Sequence, residues 1–199
     1  MAMTSANSGA VAVGGGGAVF VYGSLLADNV VQLLLNRVPQ TSPAILNDYH
    51  RFSIKGRVYP AIRPVENKQV TGRVLIGLSA TELDILDDYE AEEYDKRVVN
   101  VSLLIWDGNF PKFQSVRPYW NESDLQFCWS IWLADFKAAS LGDTSEVLQA
   151  YTYVWGNSTD PDLYGEWDFE DFKESKLKDY VEMTKRYVEE MDYPTSSLP

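Results

Sequence analysis

The chain has 199 residues, 45% hydrophobic and 13% aromatic, enough to bury a sizeable core, and its length favours one folded domain. With 29 acidic against 17 basic residues its formal charge is -12, which repels phosphate backbones and anionic lipid surfaces; neither nucleic acid nor a membrane is expected as partner, and a small molecule or another protein is. Cys128 is the only cysteine and His50 the only histidine, which excludes an intramolecular disulfide and argues against a Cys/His zinc site.

Residues 1–17 are small and polar types ending in Gly14-Gly15-Gly16-Gly17 and read as a flexible tail, with the folded part expected over 18–191 and a short tail at 192–199. No run approaches the roughly 18 to 20 apolar residues of a membrane span, and the first basic residue is Arg37, so a cytoplasmic location is the expectation. Val19-Phe20-Val21, ending at Gly23, predicts a buried strand and a turn. A helix follows, with Asp28 as its N-cap, an apolar side from Val30 to Leu35 and a stop at Pro39. Residues 44–62 read as two extended stretches broken near Gly56, and 70–78 alternates with a period of two as a further strand. Ser79-Ala80-Thr81-Glu82 matches a capping box and opens a short helix that ends at Glu90. Residues 94–106 and 147–155 are predicted strands, and 166–191 carries Phe169, Phe172, Leu177, Tyr180, Val188 and Met191 on one face of a predicted helix of about 25 residues. The aromatic-rich insertion 107–146 reads as a cover over the core, a lid or a partner surface. The irregular order of strands and helices predicts an α+β class, a small mixed sheet or barrel with flanking helices and a long C-terminal helix.

Two segments carry candidate chemistry. A strand delivering Tyr22-Gly23-Ser24-Leu25 into a helix is either an ordinary junction or a turn whose backbone N–H groups meet an anion. Glu90 belongs to an acidic cluster from Asp84 to Asp95 that reads mostly as a solvated helix end and does not follow a calcium-loop spacing. Its setting beside Leu86 and Tyr89 distinguishes it, because partial burial there raises a carboxyl pKa towards the range of acid-base catalysis. Tyr59-Pro60 marks either a strand end or a pocket wall, and Arg97 either orients a carboxylate or pairs with an acidic neighbour. His50 and Cys128 lack the sequence partners of a nucleophilic site.

Taken together, Phe20-Val21-Tyr22-Gly23-Ser24-Leu25 and Leu86-Asp87-Asp88-Tyr89-Glu90, followed by Tyr94 and Arg97, resemble the gamma-glutamylcyclotransferase-like family. Residues Arg51 to Ile62 and the long C-terminal helix are most similar to its plant avirulence-induced branch. The resemblance implies a small mixed barrel with flanking helices, and cyclisation of a gamma-glutamyl compound to 5-oxoproline with release of an amine or amino acid. It implies neither cofactor nor metal. By position, Tyr22, Gly23, Ser24 and Leu25 would bind the substrate's alpha-carboxylate and gamma-carbonyl, Glu90 would be the acid-base residue, and Tyr59 and Pro60 would lie near the substrate. Ala91 stands where the family often has Gly, and the insertion has no counterpart in shorter members. The rival expectation is a non-catalytic binding protein on the same fold, with the insertion as its partner surface.

Overall fold

A computed structural model describes residues 16–104 and 146–191. The expected N-terminal tail up to residue 15, the insertion 107–146 except Glu146, and the tail 192–199 lie outside the described residues. The elements in chain order are β1 (Gly17–Val21), a 3-10 turn (Ser24–Leu26), α1 (Asp28–Leu35), β2 (Gln40–Ile54), β3 (Ala61–Leu78), α2 (Ala80–Glu90), β4 (Tyr94–Leu103), β5 (Val147–Trp155), β6 (Leu163–Tyr164), α3 (Phe169–Ser175) and α4 (Leu177–Glu190).

Strand order β3-β1-β5-β4-β2, with β2 paired back to β3, closes five strands into a barrel, and β6 is appended to β2. The β1–β5 pairing is parallel and the others are antiparallel, so the sheet is mixed. The α+β expectation of a small mixed barrel with flanking helices describes this architecture. Alternation along β1 explains why its sequence is apolar throughout. Ala18 and Phe20 point into the barrel with Leu46, Val74, Val101 and Ala150, whereas Val19 and Val21 pack against α1, α2 and α4 through Val31, Leu34, Leu86 and Tyr180.

Three expectations need correcting. Of the expected stretch ending at Ile62 only Ala61 and Ile62 are strand, and they belong with 70–78 to one strand, β3, because a bulge absorbs the polar Pro64–Gln69 segment: Asn47 pairs with Gln69 and Tyr49 with Pro64, with Asp48 at φ 60° between them. Asp28 does not cap α1; Ala27 does, without a side-chain bond, and the Asp28 carboxylate receives Arg73 instead. The helix ends at Leu35, before Pro39, with Asn36 left-handed at φ 55°. The predicted C-terminal helix is two helices, separated at Lys176 (φ -129°, ψ -25°) where the apolar spacing steps from Phe172 to Leu177. Asp168 caps α3 through the N–H groups of Glu170 and Asp171, and Trp167, Phe169, Phe172 and Tyr180 form an aromatic cluster across the break.

The capping box of α2 forms as read: the Glu82 N–H donates to Ser79 Oγ at 3.2 Å and the Ser79 N–H to Glu82 Oε2 at 2.8 Å. Arg37 completes it, donating to both Glu82 oxygens at 2.6 and 2.8 Å, while Glu82 is almost fully buried. Burial pushes the Glu82 carboxyl up, but Arg37 and Ser79 outweigh it and the net shift is downwards. A depressed carboxyl adds stability above its ordinary pKa of 4.5 and loses it as pH falls through the lower folded value. Arg37→Ala is therefore expected to cost about 2 kcal/mol at pH 7 in urea unfolding. The gap to the wild-type protein should narrow as pH falls through the lowered folded value, where Glu82 takes up a proton in both.

Candidate active site

One cavity of about 240 Å³ lies between the end of β1, the end of α2 and the inward face of α4. Tyr22, Gly23, Ser24, Leu25, Tyr59, Pro60 and Glu90, far apart in sequence, all line it, together with Tyr89, Ala91, Glu93, Tyr94, Tyr153, Tyr180, Met183, Thr184 and Tyr187.

The loop is held by its carbonyls. Arg51 of β2 donates to the Tyr22 carbonyl at 2.9 Å, and Arg73 of β3 donates to the Leu25 carbonyl at 2.9 Å. Arg51 also donates to the Trp167 carbonyl at 3.1 Å, with its guanidinium over the Trp167 ring. The Gly23 and Ser24 carbonyls accept from the Leu26 and Ala27 N–H groups, which closes the 3-10 turn. No carbonyl among the described residues accepts from the N–H groups of Gly23, Ser24 or Leu25, so these donors remain available. Gly23 is required by contact: a Cβ there would lie 2.9 Å from Cγ and Cδ of Pro60. Pro60 is fixed in turn, its carbonyl accepting from Tyr94 Oη at 2.7 Å.

Glu90 is the last residue of α2. Among the described residues its carboxylate has no hydrogen bond and no ion pair, and burial pushes its pKa from 4.5 up to about 8. Its position at a helix C-terminus disfavours negative charge further. Its charge reaches Tyr22, Tyr89, Tyr94, Tyr153 and Tyr180 and adds to the upward push that burial gives each phenol. A carboxyl that titrates near neutrality therefore faces a loop with three unused N–H donors. It can take up and return a proton, and the loop can hold an oxyanion or carboxylate.

The family described as Gamma-glutamyl cyclotransferase, AIG2-like, matches residues 19–120, which contain both the loop and Glu90. The chain belongs to this family. It is 43% identical over 180 residues to AIG2-like protein D of Arabidopsis thaliana, covering 90% of this chain and 94% of that one. To AIG2-like protein C of the same plant it is 40% identical over 176 residues, covering 88% and 80%. A solution structure of another Arabidopsis thaliana protein shares its fold with a TM-score of 0.53 at 31% identity, covering 89% of this chain and 94% of that one.

Against this AIG2-like frame, one sequence-based candidate falls away. Arg97 does not line the cavity; it is exposed on β4 and donates to Asp95 at 3.0 Å, the surface ion pair that was its other reading. His50 lies outside the cavity lining too, its Nε2 at 3.1 Å from the Gly165 carbonyl. Sequence reasoning missed several residues that shape the site. Arg51 and Arg73 are charges on barrel strands, Arg73 within the buried run Gly72–Leu75, and such charges demand partners, but nothing in the sequence names the loop carbonyls they find. Glu93 lines the cavity and accepts from Tyr59 Oη at 3.0 Å, which with burial pushes the Tyr59 phenol up to about 12. Tyr153 donates to Asp87 at 2.8 Å, and Tyr89 to the Tyr180 hydroxyl at 2.8 Å. No group of three or more His, Cys, Asp or Glu side chains among the described residues is placed to hold a metal ion.

Ala91 carries the local strain. It adopts φ 57° and ψ -169°, a region that glycine enters freely and alanine does not, directly after the site carboxyl. Ala91→Gly is expected to raise stability by about 1 kcal/mol in urea unfolding at pH 7, despite the greater freedom it gives the unfolded chain.

Proposed function

We propose that the protein is a gamma-glutamylcyclotransferase, with Glu90 as acid-base residue and Tyr22 to Leu25 as the cradle for the substrate's glutamyl head. The observation that carries this reading is Glu90, a half-buried carboxyl with no partner among the described residues, in the same cavity as the loop. The AIG2-like family membership supports it as well.

The substrate holds its own nucleophile, so the protein's first task is to keep the glutamyl chain folded with its amine against its gamma-carbonyl. Loop N–H groups bind the alpha-carboxylate and face the carbonyl oxygen. Ionised Glu90 takes one proton from the alpha-ammonium. The freed nitrogen attacks the gamma-carbonyl carbon, a C–N bond forms, and the carbonyl electron pair moves onto oxygen, where the loop amides stabilise it. As the C=O bond re-forms, the bond to the leaving nitrogen breaks and that nitrogen takes the proton from Glu90. The second proton on the ring nitrogen passes to the released amine, so 5-oxoproline and an ammonium leave and Glu90 is unchanged. A carboxyl with a pKa near 8 is a stronger base than an ordinary glutamate and a ready acid once protonated. Tyr22, whose hydroxyl donates to the Tyr153 carbonyl at 2.6 Å, and Tyr94 stay neutral because burial raises their phenols, so they wall the site without competing for the proton.

The test is 5-oxoproline formation from a panel of gamma-glutamyl amines, amino acids and peptides. The wild-type protein should turn over at least one of them, with kcat/KM rising through an apparent pKa near 8. Glu90→Gln should lose about 100-fold or more. Equal turnover by that variant, or no 5-oxoproline from any compound, rejects the assignment. Stability supplies a second readout of the same residue. Because folding raises the Glu90 pKa, ionising it in the folded state is unfavourable, and stability should fall as pH rises from about 4.5 through 8. Glu90→Gln should abolish that fall and melt higher than the wild-type protein at pH 9.

A further inference from the structure

The cavity extends along α4 beyond the groups used by the proposed reaction. Tyr180, Met183, Thr184 and Tyr187 follow one another at helical spacing on one face of α4 and all line it. Tyr180 marks the end of this wall nearest the loop, since it lines the cavity with Ser24, whose side chain opposes the rise that burial gives the Tyr89 and Tyr180 phenols. Tyr187 lies two turns further on, about 10 Å along the helix at 1.5 Å per residue. Ring closure of the glutamyl head is completed within a few bond lengths of Glu90, so whatever touches the Tyr187 end belongs to the part of the substrate beyond the gamma-carbonyl.

Hydrogen bonding separates Tyr187 from its neighbours. Seven tyrosines line the cavity, and six of their hydroxyls have partners among the described residues. Thr184, on the same wall, donates to the Tyr180 carbonyl at 3.0 Å. The Tyr187 hydroxyl is buried and has no partner among the described residues, although its ring is fixed edge-on to Tyr89 at 5.5 Å. A buried phenol normally finds a partner, and leaving one unmade costs more than making it gains. Burial, with the Asp88 charge next in weight, raises this phenol, so it remains a neutral donor.

We propose that the inward face of α4 is the leaving-group subsite and that Tyr187 is its specificity residue, selecting an arylalkyl leaving amine that brings a neutral hydrogen-bonding group to the Tyr187 hydroxyl. The proposal rests on the cyclotransferase reading for which part of the ligand lies there. Its test is binding, which does not depend on turnover. The Glu90→Gln protein is titrated calorimetrically with gamma-glutamyl-tyramine, gamma-glutamyl-phenethylamine and gamma-glutamyl-methylamine. The phenethylamine conjugate should bind about tenfold more tightly than the methylamine conjugate, because its ring covers the α4 wall. The tyramine conjugate should gain about a further fivefold, the equivalent of one neutral hydrogen bond. Tyr187→Phe in the same background should bring the tyramine and phenethylamine conjugates to parity while leaving the phenethylamine affinity within about twofold. A tyramine-to-phenethylamine ratio unchanged by Tyr187→Phe, a methylamine conjugate that binds as tightly as the aromatic ones, or no detectable binding of any conjugate would overturn the proposal. Assaying 5-oxoproline from the same conjugates with the wild-type protein tests the reaction separately: the expected affinity ratios without turnover would reject the reaction and keep the subsite.

Discussion

The buried guanidinium of Arg73 fixes the geometry on which the rest of the site depends. It sits on β3 opposite Val21 of β1, just before the chain leaves the barrel, and it reaches past that strand end to the Leu25 carbonyl and the Asp28 carboxylate. Burying a charge there is costly, and only two well-placed acceptors make it tolerable. Arg51, one strand over, holds the Tyr22 carbonyl. Both ends of the loop are thereby anchored through oxygen atoms by the barrel wall. That arrangement leaves the N–H groups between them without an acceptor among the described residues, in a loop too short to satisfy them by itself. The availability of donors is thus a property of the β2–β3 ladder as much as of the residues that line the cavity.

Helix α2 shows how one element can hold two glutamates in opposite states. Glu82, in its first turn, is buried but answered by Arg37 and the Ser79 backbone, and its carboxyl is held down. Glu90, at its last position, is answered by no cation among the described residues, lies where the helix dipole is negative, and is pushed up. The first glutamate secures the start of the helix and so fixes the direction in which the second is presented. Environment, not residue type, divides the carboxylate that is held down from the one that is pushed up.

This division also marks how far the sequence could be read. The capping box was legible because its residues are adjacent and its geometry is local. The β1–loop junction and the end of α2 were legible for the same reason, and with them the positions of Tyr22 to Leu25 and Glu90. What sequence could not supply was partnership across the barrel. Asp28 looks like an N-cap in any local reading, and only the approach of Arg73 from β3 removes it from that role. The polar segment 64–69 reads as a gap between strands because a bulge and a break look alike without the partner strand. Arg97 and Arg51 are equally basic in sequence. Which one faces solvent and which one holds the loop is decided by side-chain alternation on strands whose register the sequence does not state.

The split of the C-terminal segment has a functional side. A continuous helix through 169–190 would keep Phe172 and Tyr180 in one unbroken register; the interruption at Lys176 lets α3 seal the Trp167 cluster while α4 turns its own face to the cavity. Barrel and α2 therefore supply the loop and the carboxyl, and a separately oriented helix supplies most of the remaining wall. Substitutions on α4 at Met183 or Tyr187 alter that wall without touching the arginines that hold the loop or the cap that positions α2. The two parts of the cavity share packing at Tyr89 and Tyr180, but the α4 wall contributes neither the loop nor Glu90, so the wall can change in shape and polarity while the loop and the carboxyl stay as they are.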